Sequence, residues 1–169
     1  MEQQYRPPRV LFVCTGNICR SAMAEHLLRH RLREQGREDA LAIASAGLSD
    51  EEAGNPMNPV SARVLAGHGI EAGEHAARQV TAQQLADADL AVAMTRRHRA
   101  GLERLAAGLP AERRPRIVML RELGEPELGA DGEPLDVDDP WYGGPEDHEE
   151  VFRELEAHLP ALVAELTGR

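Results

Sequence analysis

Val10-Leu11-Phe12-Val13-Cys14-Thr15-Gly16-Asn17-Ile18-Cys19-Arg20-Ser21 is the stretch on which the fold turns. Its first four residues form a continuous apolar run with β-branched ends, the pattern of a strand buried on both faces. Cys14 to Cys19 is a small, mostly polar loop containing one glycine. From Arg20 to Gln35, Ala22, Met23, Ala24, Leu27, Leu28 and Leu32 place apolar side chains at helical spacing, and Gly36 closes the segment. Strand, short loop and helix make one unit.

The same alternation continues outward. Leu41-Ala42-Ile43-Ala44 reads as a second strand, ended by Ser45-Ala46-Gly47, and Leu48 to Gly54 as a polar, acidic loop. Asn58 followed by Pro59 is a cap-plus-first-turn signal for a helix running towards Gly67 or Gly69. Thr81 with Gln84 forms a capping box for a short helix, and Leu90 to Met94 is a third strand. Thr95 caps an arginine-rich helix ending near Gly108. Ile117 to Leu120 is the fourth strand, Gly124 to Gly144 a Gly/Pro/acid-rich loop, and Glu146 to Leu166 a final amphipathic helix. Short apolar strands alternating with helices predict an α/β fold: one doubly wound sheet of four parallel strands with helices on both faces. Right-handed crossovers then bring every strand-to-helix loop to one edge of the sheet, where ligands of such folds bind. No repeat or linker divides the chain, so residues 1–169 are expected to form one domain.

Composition narrows the chemistry. The chain has 169 residues, with 19 basic against 29 acidic, a formal charge of −10. All 19 basic residues are arginine. Without lysine, a Walker-type phosphate loop, a kinase β3 lysine and Schiff-base or pyridoxal chemistry are excluded. Two cysteines and five aromatic residues argue against a disulfide-stapled fold and an aromatic nucleic-acid platform. The acidity is uneven: Glu122 to Glu156 holds 14 acidic residues and one arginine, leaving a net +3 on the rest. A polyanion is repelled by that C-terminal segment, whereas a small anion suits the N-terminal body. The N-terminus has no apolar leader and no run is long enough to span a membrane, so a cytoplasmic protein with no nucleic-acid or membrane partner is expected.

Placed between a strand end and a helix start, the residues Thr15, Gly16, Asn17, Ile18 and Cys19 can turn successive backbone N–H groups into one concavity, reinforced by the helix dipole. Arg20 adds a planar fork for two oxygens of a tetrahedral anion. The same field favours the thiolate of Cys14 at the base of the loop, an anionic nucleophile placed for in-line attack on phosphorus. A departing oxygen needs a proton. Asp136-Val137-Asp138-Asp139-Pro140-Trp141-Tyr142 is the richest source, and Asp139 the choice within it. The proline holds Asp139 extended, and neighbouring carboxylates favour its protonated form. Asp136 and Asp138 read as solvating carboxylates that could take its place if the loop register differed. Trp141 and Tyr142 can flank an aromatic leaving group, or serve as core residues.

These residues resemble the low-molecular-weight protein tyrosine phosphatases. Val10 to Glu25 is similar to the family's Cys-x5-Arg-Ser signature, and Asp139-Pro140-Trp141 to its Asp-Pro-aromatic motif. Ser45-Ala46-Gly47 and His75-Ala76-Ala77-Arg78-Gln79 also look like family segments. The resemblance implies that Cys14 is the nucleophile, Arg20 the phosphate-binding arginine and Asp139 the general acid and then base. It also implies a cysteinyl-phosphate intermediate and no metal or other cofactor. A phosphotyrosine-containing protein is the implied substrate and inorganic phosphate the product, with a monomer expected. Asn17, Ser21, Ser45 and His75 match positions that hold the loop in shape, and Ser21 can help Cys14 leave. Ala22 and Thr95 depart from the family's usual proline and aspartate. Ser49-Asp50-Glu51-Glu52 replaces a segment where many relatives place a tryptophan against the substrate ring. Glu51 and Glu52 are therefore expected either to shorten the slot or to select basic flanking residues. Ile18 resembles tyrosine-specific members, where a phosphoarginine-specific branch carries threonine.

Other readings compete. Arsenate fits the same loop, so arsenate reduction with an external thiol is one; a phospho-ligand binding module without turnover is another. Cys14, Cys19, His26 and His30 can be read as a zinc set, but the Cys19-to-His26 interval is short for one and His26 and His30 are expected as partly exposed helix residues. Cys19 either protects Cys14 through a reversible disulfide or packs beneath the loop. His68 and His98 have no partner that the sequence names.

Overall fold

The computed structural model describes residues 5–169. Four strands, β1 (Arg9–Cys14), β2 (Ala42–Gly47), β3 (Leu90–Ala93) and β4 (Arg116–Met119), form one parallel sheet in the order β2-β1-β3-β4. Five helices connect or flank them: α1 (Arg20–Glu34), α2 (Pro59–Gly67), α3 (Ala82–Asp87), α4 (Arg96–Ala107) and α5 (Pro145–Thr167). The α/β reading of the sequence holds, four parallel strands included.

Strand alternation divides the core between two faces. Val10, Phe12 and Cys14 of β1 point to the side covered by α1, α2 and α5, where Met23, Leu27, Leu65, Phe152, Leu155 and Leu162 are buried. Leu11 and Val13 point to the other side, against Leu85 of α3 and Leu102 and Ala106 of α4. Because β1 is central, its residues find partners on both faces, which is why it is apolar throughout rather than alternating.

The second strand runs longer than its apolar pattern. Leu41 to Ala44 is the sequence reading, whereas the ladder starts at Ala42 and continues through Ser45, Ala46 and Gly47, paired with Phe12, Val13 and Cys14. Those three small residues read as a stop signal, yet they are strand because β2 must pass close beneath the loop after Cys14. The other strands and helices lie within one or two residues of the predicted limits. Asn58, Thr81 and Thr95 cap α2, α3 and α4 with side-chain oxygens, and Thr81 forms the predicted capping box with Gln84. Among the described residues no helix is long and apolar enough to cross a membrane.

Candidate active site

In the order β2-β1-β3-β4 the chain leaves β1 towards one sheet edge and later returns to β3 on β1's other side. The C-terminal end of β1 is therefore the topological switch point, where a crevice opens between diverging loops. Cys14 stands there. The next residues turn back over the end of β2 and enter α1 at Arg20. Asn17 makes the turn with φ +61°, a left-handed conformation that asparagine tolerates better than most residues. Unlike α2, α3 and α4, α1 has no side-chain cap, and its first turn holds no acidic residue. Its first N–H groups and positive dipole end are left to the loop, as an anion site requires.

A buried network fixes that shape. Asn17 Nδ2 donates to Ser21 Oγ at 2.9 Å and to Ser45 Oγ at 2.8 Å, while Asn17 Oδ1 accepts from the Arg78 backbone N–H at 3.2 Å. His75 Nε2 donates to the Asn17 carbonyl at 2.7 Å. Ser45 in turn donates to Glu25, which pairs with Arg29. Ser21 accepts from Asn17 and so keeps its own proton for Cys14 Sγ at 3.0 Å or the Ala46 carbonyl at 3.4 Å. That hydroxyl is the side-chain donor nearest the sulfur. The structure thus brings together Cys14, Asn17, Ser21, Ser45 and His75.

Arg20 couples the loop to the distant acidic segment. Only 4% exposed, it donates from Nη1 to the Val137 carbonyl at 2.9 Å, and Nη2 lies 3.6 Å from Asp139 Oδ2. Its Nε is buried and has no hydrogen-bond partner among the described residues. Val137 is anchored to the end of β3 through its N–H and the Met94 carbonyl, 2.8 Å. Asp139 is extended (φ −75°, ψ 114°), as its proline requires, and caps the turn Pro140–Tyr142 by accepting the Trp141 N–H at 3.0 Å. Asp136, the first alternative, accepts the Arg96 backbone N–H at 2.8 Å and does not line the cleft.

The cleft has a volume of about 230 Å³. Cys14, the loop after it and Arg20 line it, together with Asp139, Trp141 and Tyr142 from the acidic segment and Glu51 and Glu52 from the loop after β2. Trp141 is 49% and Tyr142 91% exposed, so they are rim residues and not core. Glu52 is held by Asn55 Nδ2 at 2.8 Å and packs over Gly16.

Several sequence expectations change. His26 is buried, not partly exposed: its ring meets His75 edge-on with Nε2 3.3 Å from His75 Nδ1. Burial and the neighbouring Arg29 and His75 lower its basicity against the opposing pull of Glu25, with burial dominant. Among the described residues no group of three or more His, Cys, Asp or Glu side chains is placed to hold a metal, so the zinc set is not assembled. Cys19 is a free thiol packed with Ile18 and Ala77, and burial pushes it up to about 12. His68 stacks on Phe152 at 3.8 Å and pairs with Glu149. His98 contacts Thr15 within the loop itself.

Gly47 is a site residue whose reason the sequence hides. A Cβ there would lie 2.6 Å from the Thr15 carbonyl oxygen. Leu48 and Ser49 donate their N–H groups to Cys14 and Thr15, so β2 and the loop run in direct contact.

Fold and cleft together define an α/β protein with a cysteine-bearing loop at the switch point of a parallel sheet. Residues 9–169 match the family described as low molecular weight phosphotyrosine protein phosphatase, and the chain belongs to that family. It is 44% identical over 156 residues to low molecular weight protein-tyrosine phosphatase A of Mycobacterium tuberculosis, covering 92% of this chain and 90% of that protein. The crystal structure of YfkJ from Bacillus subtilis is similar with a TM-score of 0.82 and 32% identity over 96% of each chain. An arginine phosphatase from Drosophila is similar at TM-score 0.81 and 27% identity, covering 92% of this chain and 96% of that one.

Proposed function

We propose that residues 1–169 act as one catalytic domain, a monomeric cytoplasmic phosphatase that hydrolyses phosphotyrosine in proteins without a cofactor and without a nucleic-acid or membrane partner. The observation that carries this reading is the convergence of Cys14, Arg20 and Asp139 on one cleft. Cys14 Sγ attacks phosphorus as the bond to the tyrosine oxygen breaks, and Asp139 gives that oxygen its proton. The loop N–H groups of Thr15 to Cys19 and the Arg20 guanidinium bind the three equatorial oxygens, where charge concentrates in the transition state. Asp139 then takes a proton from water, whose oxygen attacks the cysteinyl phosphate. The S–P bond breaks, inorganic phosphate leaves, and the thiolate returns beside the Ser21 hydroxyl. Asn17, Ser21, Ser45 and His75 keep the loop in shape for both steps.

Trp141 and Tyr142 give an aromatic ring one wall to rest on. The lining also holds Glu51 and Glu52, and among the described residues its only cation is the buried Arg20. Glu51 and Glu52 therefore favour phosphotyrosine flanked by arginine or lysine.

A panel of phosphotyrosine, phosphoserine and phosphoarginine peptides tests the reading. Phosphotyrosine is expected to be preferred, with turnover lost in Cys14→Ser and Arg20→Ala. Preference for phosphoarginine, thiol-dependent arsenate turnover exceeding ester hydrolysis, or binding without hydrolysis would each replace it. Basic flanks are expected to raise kcat/KM a few-fold at low salt and less at high salt, about the reach of rim charges in water. Indifference to peptide charge in the wild type would remove the role of Glu51 and Glu52.

A further inference from the structure

His98 lies in the first turn of α4, 83 residues from the nucleophile loop, and is 2% exposed. Its Nε2 is 2.8 Å from Thr15 Oγ1. Its backbone N–H is fixed by the Thr95 cap at 3.1 Å, so the ring is carried on a rigid helix start. Nδ1 is buried and has no partner among the described residues.

That pattern selects a tautomer. A proton on Nδ1 would be a buried N–H with no acceptor, the arrangement that folded proteins avoid most strongly. A proton on Nε2 leaves only a lone pair unpaired at Nδ1. Nε2–H therefore donates, and Thr15 Oγ1 accepts. A hydroxyl that accepts from the ring keeps its own proton free to donate elsewhere. Thr15 is exposed and lines the cleft beside Cys14 and Arg20, so the free proton has the anion site within its reach.

We propose that His98 is a positioning residue for anion binding, holding the Thr15 hydroxyl so that its proton is presented to the phosphoryl group in the cleft. Thr15 then adds a side-chain donor to the backbone N–H groups, and His98 acts only through it. Burial, together with Arg20 and Arg97, lowers the imidazole to about 3, so it stays neutral wherever the enzyme works. Its contact with Thr15 is thus constant across neutral pH. The inference deepens the phosphatase reading but is tested on phosphate binding, which does not need turnover.

Inorganic phosphate is titrated into the full chain by calorimetry, and KM and kcat are measured with para-nitrophenyl phosphate. Thr15→Val and His98→Phe are each expected to weaken phosphate binding about tenfold, the scale of one hydrogen bond to a charged group in a partly open site. KM should rise in parallel, with kcat moving about threefold or less. Thr15→Ser and His98→Gln, which restore a hydroxyl and a side-chain N–H, should recover most of the loss. The double variant Thr15→Val/His98→Phe should bind within about twofold of Thr15→Val alone, because both changes act through one proton. Wild-type phosphate affinity in Thr15→Val overturns the proposal, as does an additive loss of about a hundredfold in the double variant. Should His98→Phe not fold, the Thr15→Val and Thr15→Ser pair decides alone. Phosphate binding that follows this pattern without hydrolysis of phosphotyrosine would refute the proposed function and leave the positioning role standing.

Discussion

Gly47→Ala would place a methyl group where the loop after Cys14 already lies. Built on the existing backbone, its Cβ meets the Thr15 carbonyl oxygen at 2.6 Å, the Gly16 carbonyl carbon at 3.1 Å and the Asn17 nitrogen at 3.2 Å. All three are main-chain atoms, so no side chain can rotate away. The loop is also tied to β2 by the Leu48 N–H to the Cys14 carbonyl at 2.9 Å and the Ser49 N–H to the Thr15 carbonyl at 3.0 Å. Reaching ordinary contact requires β2 and the loop to separate by about 0.8 Å, and a shift of that order in a reacting group costs ~10²-fold in rate. Overpacking of this kind destabilises by ~1–3 kcal/mol. The assay is kcat/KM for para-nitrophenyl phosphate alongside thermal unfolding, with Gly67→Ala as control. Gly67 ends α2 and a Cβ there meets nothing within 4 Å, so alanine should be stabilising by up to ~1 kcal/mol and leave activity intact. Activity and stability of Gly47→Ala within twofold and 0.5 kcal/mol, on the order of measurement scatter, would refute the close-approach reasoning.

Asp139→Ala should slow hydrolysis of a poor leaving group ~10²–10⁴-fold and of a good one much less; equal losses measured across a series of aryl phosphates would remove the acid role. Asn17→Ala removes the donors to Ser21 and Ser45 and leaves an alanine at φ +61°; urea unfolding should show a loss of roughly 2–4 kcal/mol, together with low turnover. Glu154 is raised to about 7, chiefly by burial, with Arg121 opposing and Glu150, Asp138 and Glu127 adding to the rise. The folded state holds this proton more tightly than the unfolded chain, so stability from it is full below about 4.5 and is lost as pH rises through about 7. Glu154→Gln should match the wild type at pH near 4.5 and exceed it by ~1 kcal/mol above pH 8, as read from denaturation midpoints; a gain at the acid end would reverse the sign.

The strand-loop-helix unit was legible because its signals are local. Val10 to Val13 are apolar throughout, and the periodicity from Arg20 gives the helix; the turn between them is made by Asn17 at φ +61° and not by Gly16, which a glycine signal alone does not reveal. Cys14, Arg20 and Asp139 could be singled out because their residue types stand in motifs contiguous in the chain. Ser45 to Gly47 were misread in extent because small residues carry no strand pattern; their pairing with Phe12 to Cys14 is a property of register. His26 was misjudged because a helical position alone does not say which neighbour will cover it.

The sequence by itself determined the alternation of strands and helices and the residue types, Cys14, Arg20 and Asp139 among them, that line the cleft. These follow from backbone preference and side-chain type, which act over a few residues. Tertiary structure decided which distant groups meet: Arg20 with Val137 and Asp139, Asn17 with Ser45 and Arg78, Thr15 with His98, and Gly47 with the loop above it. The physical reason is range. Hydrogen bonds and steric contacts act over a few ångströms, and only the folded sheet brings residues 28 to 119 positions apart to that distance.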